Sequence, residues 1–302
     1  MTSRVQLPLV LTLGVLAVSC AAVLIRFASN AHPEHTPLFS LVVAAGRLTL
    51  ASLVLLPFTL RGLGRQKLSR RAWGFTLASG VMLALHFMTW ITSLSYTSIA
   101  SSTALATTTP VWVALIAWIF LKTPPSMQTL AGIGVALAGG ALVAFGQDTT
   151  LTAPNPLLGN MLALVGAMCA GAYFMLGRQA QHEGVPTQLY AGLAYGAGAL
   201  TLLPLPVLTG VGYQAPLEAY FWIAMLALIP QLIGHTSFNW AMKRIDPTLV
   251  TLLILLEPIG SSLLAMLFFK EFPGSQVILG GVVLLLGVAV ASYPTRSRAQ
   301  TA

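Results

Sequence analysis

Glu257 is the first residue to explain. It stands directly before Pro258 in the apolar run "TLLILLEPIGSSLL", residues 251–264, in a chain with only 7 Asp and Glu among 302 residues. A carboxylate so placed can hold an ammonium group, can take up and release a proton, or can stay protonated and brace a bend. Pro258 supplies the bend, because it cannot donate the hydrogen bond that the carbonyl of Ile254 receives in a continuous helix. Arg47, in "AAGRLTLASLVLLP", is the opposite charge in equally apolar surroundings. A guanidinium keeps its proton, so it needs an anion, backbone carbonyls or water. It can grip a carboxylate, enter a permanent salt bridge or cap a helix end.

Two histidines complete the set. His86 and Trp90 are four residues apart, as are His235 and Asn239, so each pair shares a helix face. The rings of Phe87, Trp90, Phe238 and Trp240 can stack on an apolar or aromatic molecule, while an imidazole changes charge near neutral pH. The plainer alternatives are Trp in an interfacial belt and His as a structural hydrogen bonder. The residues expected to meet small molecules are therefore Arg47, His86, Trp90, His235, Asn239, Trp240 and Glu257. Glu257 is the candidate proton carrier, and Pro110 and Pro258 are the expected kinks.

Other chemistries find little support. The chain has no HExxH, no DxD-like cluster, no Walker loop and no second carboxylate near Glu257 in sequence. Cys20 and Cys169 lack metal-ligand spacing. No metal and no cofactor are expected. An intramembrane transferase using His86 or His235 is the rival enzymatic reading, and a passive channel is the third.

The elements that must position these residues follow from composition. The chain is 56% hydrophobic and 7% charged, with a mean hydropathy of +0.84, whereas soluble domains carry about 25% charged residues. Apolar stretches long enough to cross a bilayer, roughly 20 residues each, run at 7–28, 38–60, 72–95, 99–121, 127–146, 157–177, 188–208, 219–242, 248–269 and 275–293. This reads as an integral membrane protein of ten helices. The first stretch has a competing reading as a signal peptide, since "AVSC" at 17–20 faintly resembles a cleavage box. Apolar sequence continues through Ile25, which favours a retained helix.

The net charge of +8 sits at segment ends, which favours topology signals over a nucleic-acid surface. With a cytoplasmic N-terminus, Arg4, Arg61, Arg65, Lys67, Arg70, Arg71, Lys122, Arg178, Lys243, Arg244, Arg296 and Arg298 fall inside, against Arg26 and Lys270 outside. That bias predicts both termini in the cytoplasm of a cell whose inner (plasma) membrane holds the protein.

The chain also repeats. Residues 110–140 lie without gaps on residues 258–288: Pro110 meets Pro258, Phe120 meets Phe268, Lys122 meets Lys270, Gln128 meets Gln276, and Gly132 and Gly139 meet Gly280 and Gly287. "HFMTW" at 86–90 faces "HTSFNW" at 235–240 once a one-residue shift is allowed. Five spans per half, 1–147 and 148–302, mean that the second copy enters from the opposite side. Inverted repeats are a recurrent plan of secondary transporters. At the same offset Arg47 faces Tyr195 and Glu257 faces Thr109, so neither charge is duplicated. One half then supplies a cation and the other an anion, either as a gate or as a cradle for a zwitterion. Small residues in "AGIGVALAGGA" and "LGGVVLLLGVAVAS" mark the fifth and tenth spans as packing or dimer faces. The hydroxyls of "YTSIASSTALATTTP", 96–110, either line a wet path or bond back to helix carbonyls and bend the span.

The segment "LLEPIGSSLLAMLFFKEFPGSQVILGGVVLLLGVAVA", with "YTSIASSTALATTTPVWVALIAW" in the first half, resembles the EamA-type members of the drug/metabolite transporter superfamily. The resemblance implies ten helices, a central cavity and export of amino acids or other small metabolites and drugs. It also implies a Glu after the fourth and ninth spans. Here the second is Glu271 but the first position is Thr123, which puts symmetric gating by that carboxylate in doubt. The expected function is alternating-access transport, with proton coupling preferred, of a small-molecule substrate across a lipid bilayer. The expected protein is a monomer or homodimer.

Overall fold

The computed structural model describes residues 6–33, 36–122, 124–145, 154–242, 244–245, 250 and 253–292. Arg4, Thr123, Lys243, Arg296, Arg298 and the boundary between 147 and 148 lie outside them. The described residues are helical with no strand: α1 (Gln6–Ser19), α2 (Ala21–Asn30), α3 (Phe39–Arg65), α4 (Arg70–Ser93), α5 (Ile99–Ala106), α6 (Thr109–Leu121), α7 (Met127–Phe145), α8 (Pro156–His182), α9 (Thr187–Leu202), α10 (Leu205–Leu208), α11 (Leu217–Leu226), a π-helical segment (Ala227–His235), α12 (Thr236–Met242), α13 (Glu257–Phe269) and α14 (Ser275–Ser292).

Seven helical stretches are long and apolar enough to cross a bilayer: Gln6–Asn30, Phe39–Arg65, Arg70–Ser93, Ile99–Phe120, Pro156–His182, Thr187–Leu208 and Leu217–Met242. The remaining apolar helices, α7, α13 and α14, are shorter. Large apolar side chains such as Leu53, Phe58, Phe120, Leu137, Leu200, Leu267 and Leu286 are exposed on the outside. A surface this apolar suits lipid rather than water.

Helix starts are marked in the sequence by capping residues. Ser69, Ser98 and Asn155 accept the backbone N–H of Ala72, Ser101 and Leu158 at 3.0, 3.1 and 3.1 Å, satisfying donors that the first turn leaves free. The two prolines expected to kink their spans do more than that. Each sits at the second position of a new helix, α6 or α13, after a break at Thr107–Thr108 or Leu255–Leu256. There the missing N–H is not needed, so the helix stops and restarts. Both new helices have 13 residues, and both end at a lysine in the left-handed region, Lys122 (φ 57°) and Lys270 (φ 54°).

Helices from before residue 146 pack on helices from after 155. Strand-free layers arise because α1 and α2 lie against α11 and the π-helical segment, α3 against α9, α4 against α8, α5 against α13 and α7 against α14. The α7–α14 contact is a close one. A Cβ on Gly132 or Gly139 would run into the backbone at Ala291 or Leu284, and one on Gly287 into the backbone at Ala136. Gly132, Gly139, Gly280 and Gly287 are therefore spent on the α7–α14 contact, while Gly134 and Gly281 face open space.

Hydroxyls of the α5–α6 region bond back to their own helix. Thr103 donates to the carbonyl of Ile99 at 2.7 Å, Thr107 to Ala104 at 3.0 Å and Thr108 to Leu105 at 2.7 Å. Of the two readings of "YTSIASSTALATTTP", this is the second, although Thr109 also reaches the cavity described next.

Candidate functional site

The breaks at Cys20, Thr107–Thr108 and Leu255–Leu256 and the π-helical segment face a common interior. There a cavity of about 440 Å³, open mouth included, is lined by Val18, Ala21, Arg47, His86, Trp90, Ala106, Thr109, Ala170, Phe174, His235 and Glu257. Only a small part of it admits water, so a metabolite enters only if the walls part. Non-helical backbone at membrane depth is tolerated where it borders protein or a wet cavity, and these breaks meet that condition.

Among the described residues Arg47 is the largest fully buried side chain. Its Nε donates to Gln231 Oε1 at 2.8 Å, and its guanidinium carbon lies 3.9 Å from the centroid of the Phe87 ring, within cation–π range. It caps no helix end. Nη1 and Nη2 are buried with no hydrogen-bond partner. Glu257, the first residue of α13, shares the cavity but lies beyond ion-pair distance of Arg47: among the described residues the one pair within 4 Å is Arg26–Glu271.

The two histidines line the same cavity, with ring centroids 6.5 Å apart. His86 Nδ1 faces the carbonyl oxygen of Gly166 at 2.9 Å. Because a carbonyl only accepts, Nδ1 carries the proton and Nε2 of the neutral ring is the acceptor. Trp90 lies parallel to His86 at 5.8 Å, and its indole Nε1 has no partner.

The structure separates Asn239 and Trp240 from this group. Asn239 Nδ2 donates to Tyr173 Oη at 2.6 Å, and the backbone carbonyl of Asn239 accepts from Gln181 Nε2 at 3.4 Å. Tyr190 Oη and Ser79 Oγ lie 2.6 Å apart in the same layer, which forms a polar floor beside the cavity. Trp240 lies under the Arg244 guanidinium, 3.9 Å from its ring centroid. Residues that sequence reasoning missed include Gln231, which orients Arg47, and Phe174 in the lining. Gln231 has one signal in the chain: it follows Pro230, the proline inside the π-helical segment. π-Helical turns collect at functional sites.

A second charged cluster lies where α2, α13 and the start of α5 converge. Arg26 Nη1 meets Glu271 Oε1 at 2.6 Å, and Nη2 donates to the carbonyl of Leu94 at 3.0 Å. The other carboxylate oxygen, Oε2, accepts the backbone N–H of Ile99 at 3.2 Å, at the first turn of α5. A carboxylate is favourable there for its charge as well as its lone pairs. Among the described residues no group of three His, Cys, Asp or Glu is arranged to hold a metal.

The model of the EamA-like transporter family matches residues 8–145 and again 157–293. The chain belongs to the EamA-like transporter family. It is a multi-pass membrane protein of that family, and its relatives carry transporter names. It is 26% identical over 256 residues, 82% of this chain and 83% of the other, to the uncharacterized transporter YyaM of Bacillus subtilis. It is 24% identical, over 80% of this chain and 84% of the other, to an uncharacterized transporter of Archaeoglobus fulgidus. It is 27% identical, over 62% of each chain, to a probable terminal-alkyne amino-acid exporter of Streptantibioticus cattleyicolor. One solved crystal structure superposes with a TM-score of 0.61 at 20% identity, covering 96% of this chain and 97% of its own, which is a likeness of fold.

Proposed function

We propose that this family member is a secondary transporter that exports small metabolites, amino acids foremost, by alternating access. The observation that carries the reading is a buried cavity at membrane depth holding an unpaired cation, Arg47, and a carboxylate, Glu257, from opposite halves of the chain. Ionisable groups inside spans are costly and mark pathways. The amino-acid class is supported by the name of the Streptantibioticus relative.

In this reading ten spans form two inverted repeats, residues 1–147 and 148–302, in the plasma membrane with both termini in the cytoplasm. Several features support it. The family match is twofold, α6 and α13 share length, proline and lysine, and the helix pairings are those that exchange under a twofold axis. The Arg26–Glu271 pair then closes the outer end of the cavity, and the Tyr173–Asn239 layer closes the inner end. His86, Trp90 and His235 line the path between. Asn239 acts at the inner closure, and Trp240 lies beyond it at the cytoplasmic rim. Glu257 carries a proton in one direction and releases it when cargo arrives, so that the proton gradient drives export. Binding and gating are the chemistry of such a site, and no bond is made or broken.

Reconstitution into liposomes tests this. Vesicles preloaded with unlabelled amino acid should accumulate labelled amino acid above its outside concentration, because a carrier exchanges its cargo between two gates. Flux that equilibrates without such counterflow is the behaviour of a channel and would overturn the carrier reading.

A further inference from the structure

The guanidinium of Arg47 carries four N–H bonds on Nη1 and Nη2, all buried and none accepted by the protein. The indole N–H of Trp90, 4% exposed, is in the same state. Both side chains line the cavity that Glu257 also faces. A buried donor without an acceptor costs more than the hydrogen bond it forgoes, and more still when charged. Five such N–H bonds on two residues that line one cavity call for an acceptor there. Glu257 does not accept them, since it forms no ion pair within 4 Å and no hydrogen bond among the described residues.

The guest's chemistry follows from what the wall lacks. The wall supplies donors, from Arg47 and Trp90, and a carboxylate, Glu257, an acceptor when ionised. Gln231 holds Nε and Phe87 lies against one face of the guanidinium, so the free edge is the Nη1/Nη2 fork. That edge matches the two oxygens of a planar carboxylate. Among the described residues Arg47 is the one Arg or Lys in the lining, so a phosphate or sulfate dianion would leave a negative charge uncompensated in a cavity that also holds Glu257.

We propose that Arg47 and Trp90 form a carboxylate subsite and that Glu257 receives the ammonium end, so that the cargo is a small zwitterion with a free carboxylate. This deepens the transport reading and rests on it. It also gives exchange a physical basis: a proton and the ammonium compete for one carboxylate, and loading the zwitterion from the cytoplasm displaces the proton.

The test is equilibrium binding to the purified full-length protein, with alanine, leucine and phenylalanine set beside their amides and their decarboxylated amines. At least one amino acid should bind ten-fold or more tighter than its amide and amine. Arg47→Gln should erase that preference, lowering the amino acid to the level of its amide while leaving the amide within about two-fold, because only the charged hydrogen bonds are lost. Arg47→Lys, which keeps the charge without the fork, should recover part of it. Trp90→Phe keeps the ring and the fold and should cost the amino acid alone about three- to ten-fold, one hydrogen bond's worth. Amides binding as well as acids, or equal losses for both in Arg47→Gln and Trp90→Phe, would mean that these donors meet water and not cargo, and the subsite would fall. If amines bind and cross liposomes while acids do neither, the subsite falls and the transporter stands. If nothing in the panel binds or crosses, both fall.

Discussion

Arg26 and Glu271 touch, whereas Arg47 and Glu257 share a cavity without touching. Each pair joins the first half of the chain to the second. In the first pair every strong contact is made: Glu271 uses one oxygen for Arg26 and the other for the N–H of Ile99, and Arg26 adds the carbonyl of Leu94. In the second pair the guanidinium keeps two nitrogens unpaired in complete burial. A charge pair with all bonds made ties helices together, while one with bonds left open is poised for a third party. The contrast teaches that burial alone does not identify a binding site. The state of the hydrogen-bond inventory does.

Three perturbations of the closed pair follow, largest first. Arg26→Leu leaves Glu271 buried with its charge uncompensated, a change that costs about 3 kcal/mol. Thermal unfolding in detergent should register it as a drop of several degrees, and an unchanged midpoint would make the pair ornamental. A double-mutant cycle compares the two pairs directly. Coupling between Arg26 and Glu271 should be about 1 to 3 kcal/mol, and larger than that between Arg47 and Glu257 without ligand. Equal couplings would dissolve the distinction. Glu271→Gln keeps an acceptor for Ile99 and removes only the charge, so a loss of about 1 kcal/mol is expected.

The smallest effect concerns Lys270, whose φ of 54° carries a cost of about 1 to 2 kcal/mol for a residue with a Cβ. Glycine relieves that cost but gains freedom in the unfolded chain, by about 0.5 to 1 kcal/mol. Lys270→Gly should therefore leave stability unchanged or raise it by up to about 1.5 kcal/mol, with Lys122→Gly matching it. A marked loss at either site would show that the lysine side chain holds its helix end.

Much of this contrast is legible in the sequence. Charge is so scarce that Arg47, Glu257, His86 and His235 stand out from composition and span position alone, and all four line one cavity. Pro110 and Pro258 mark the breaks because a proline acts locally, through its own missing N–H. What the sequence does not disclose is the partner of each charge. Arg47 at Gln231 and Arg26 at Glu271 are joined across 184 and 245 residues, and such contacts depend on helix rotation rather than on any local pattern. The π-helical segment at Ala227–His235 changes that rotation partway along a span. A strict four-residue spacing therefore carries His235 to the cavity and leaves Asn239 with Tyr173. The one-residue shift needed to align "HFMTW" with "HTSFNW" is a sign in the sequence that register changes hereabouts. The spacing of the glycines in α7 and α14 fits packing within the chain and packing against a second copy equally well. Their backbone contact with each other is tertiary information that spacing alone does not contain.

The measurement closest to the central claim is amino-acid flux into liposomes under an imposed pH gradient, wild type beside Glu257→Gln. The account predicts that the wild type accumulates cargo against its gradient when the proton gradient is oriented to drive it. Glu257→Gln should still bind cargo and exchange it, but should lose at least nine-tenths of the uphill component. Full uphill flux in Glu257→Gln, with binding intact, would contradict the account and place the proton carrier elsewhere.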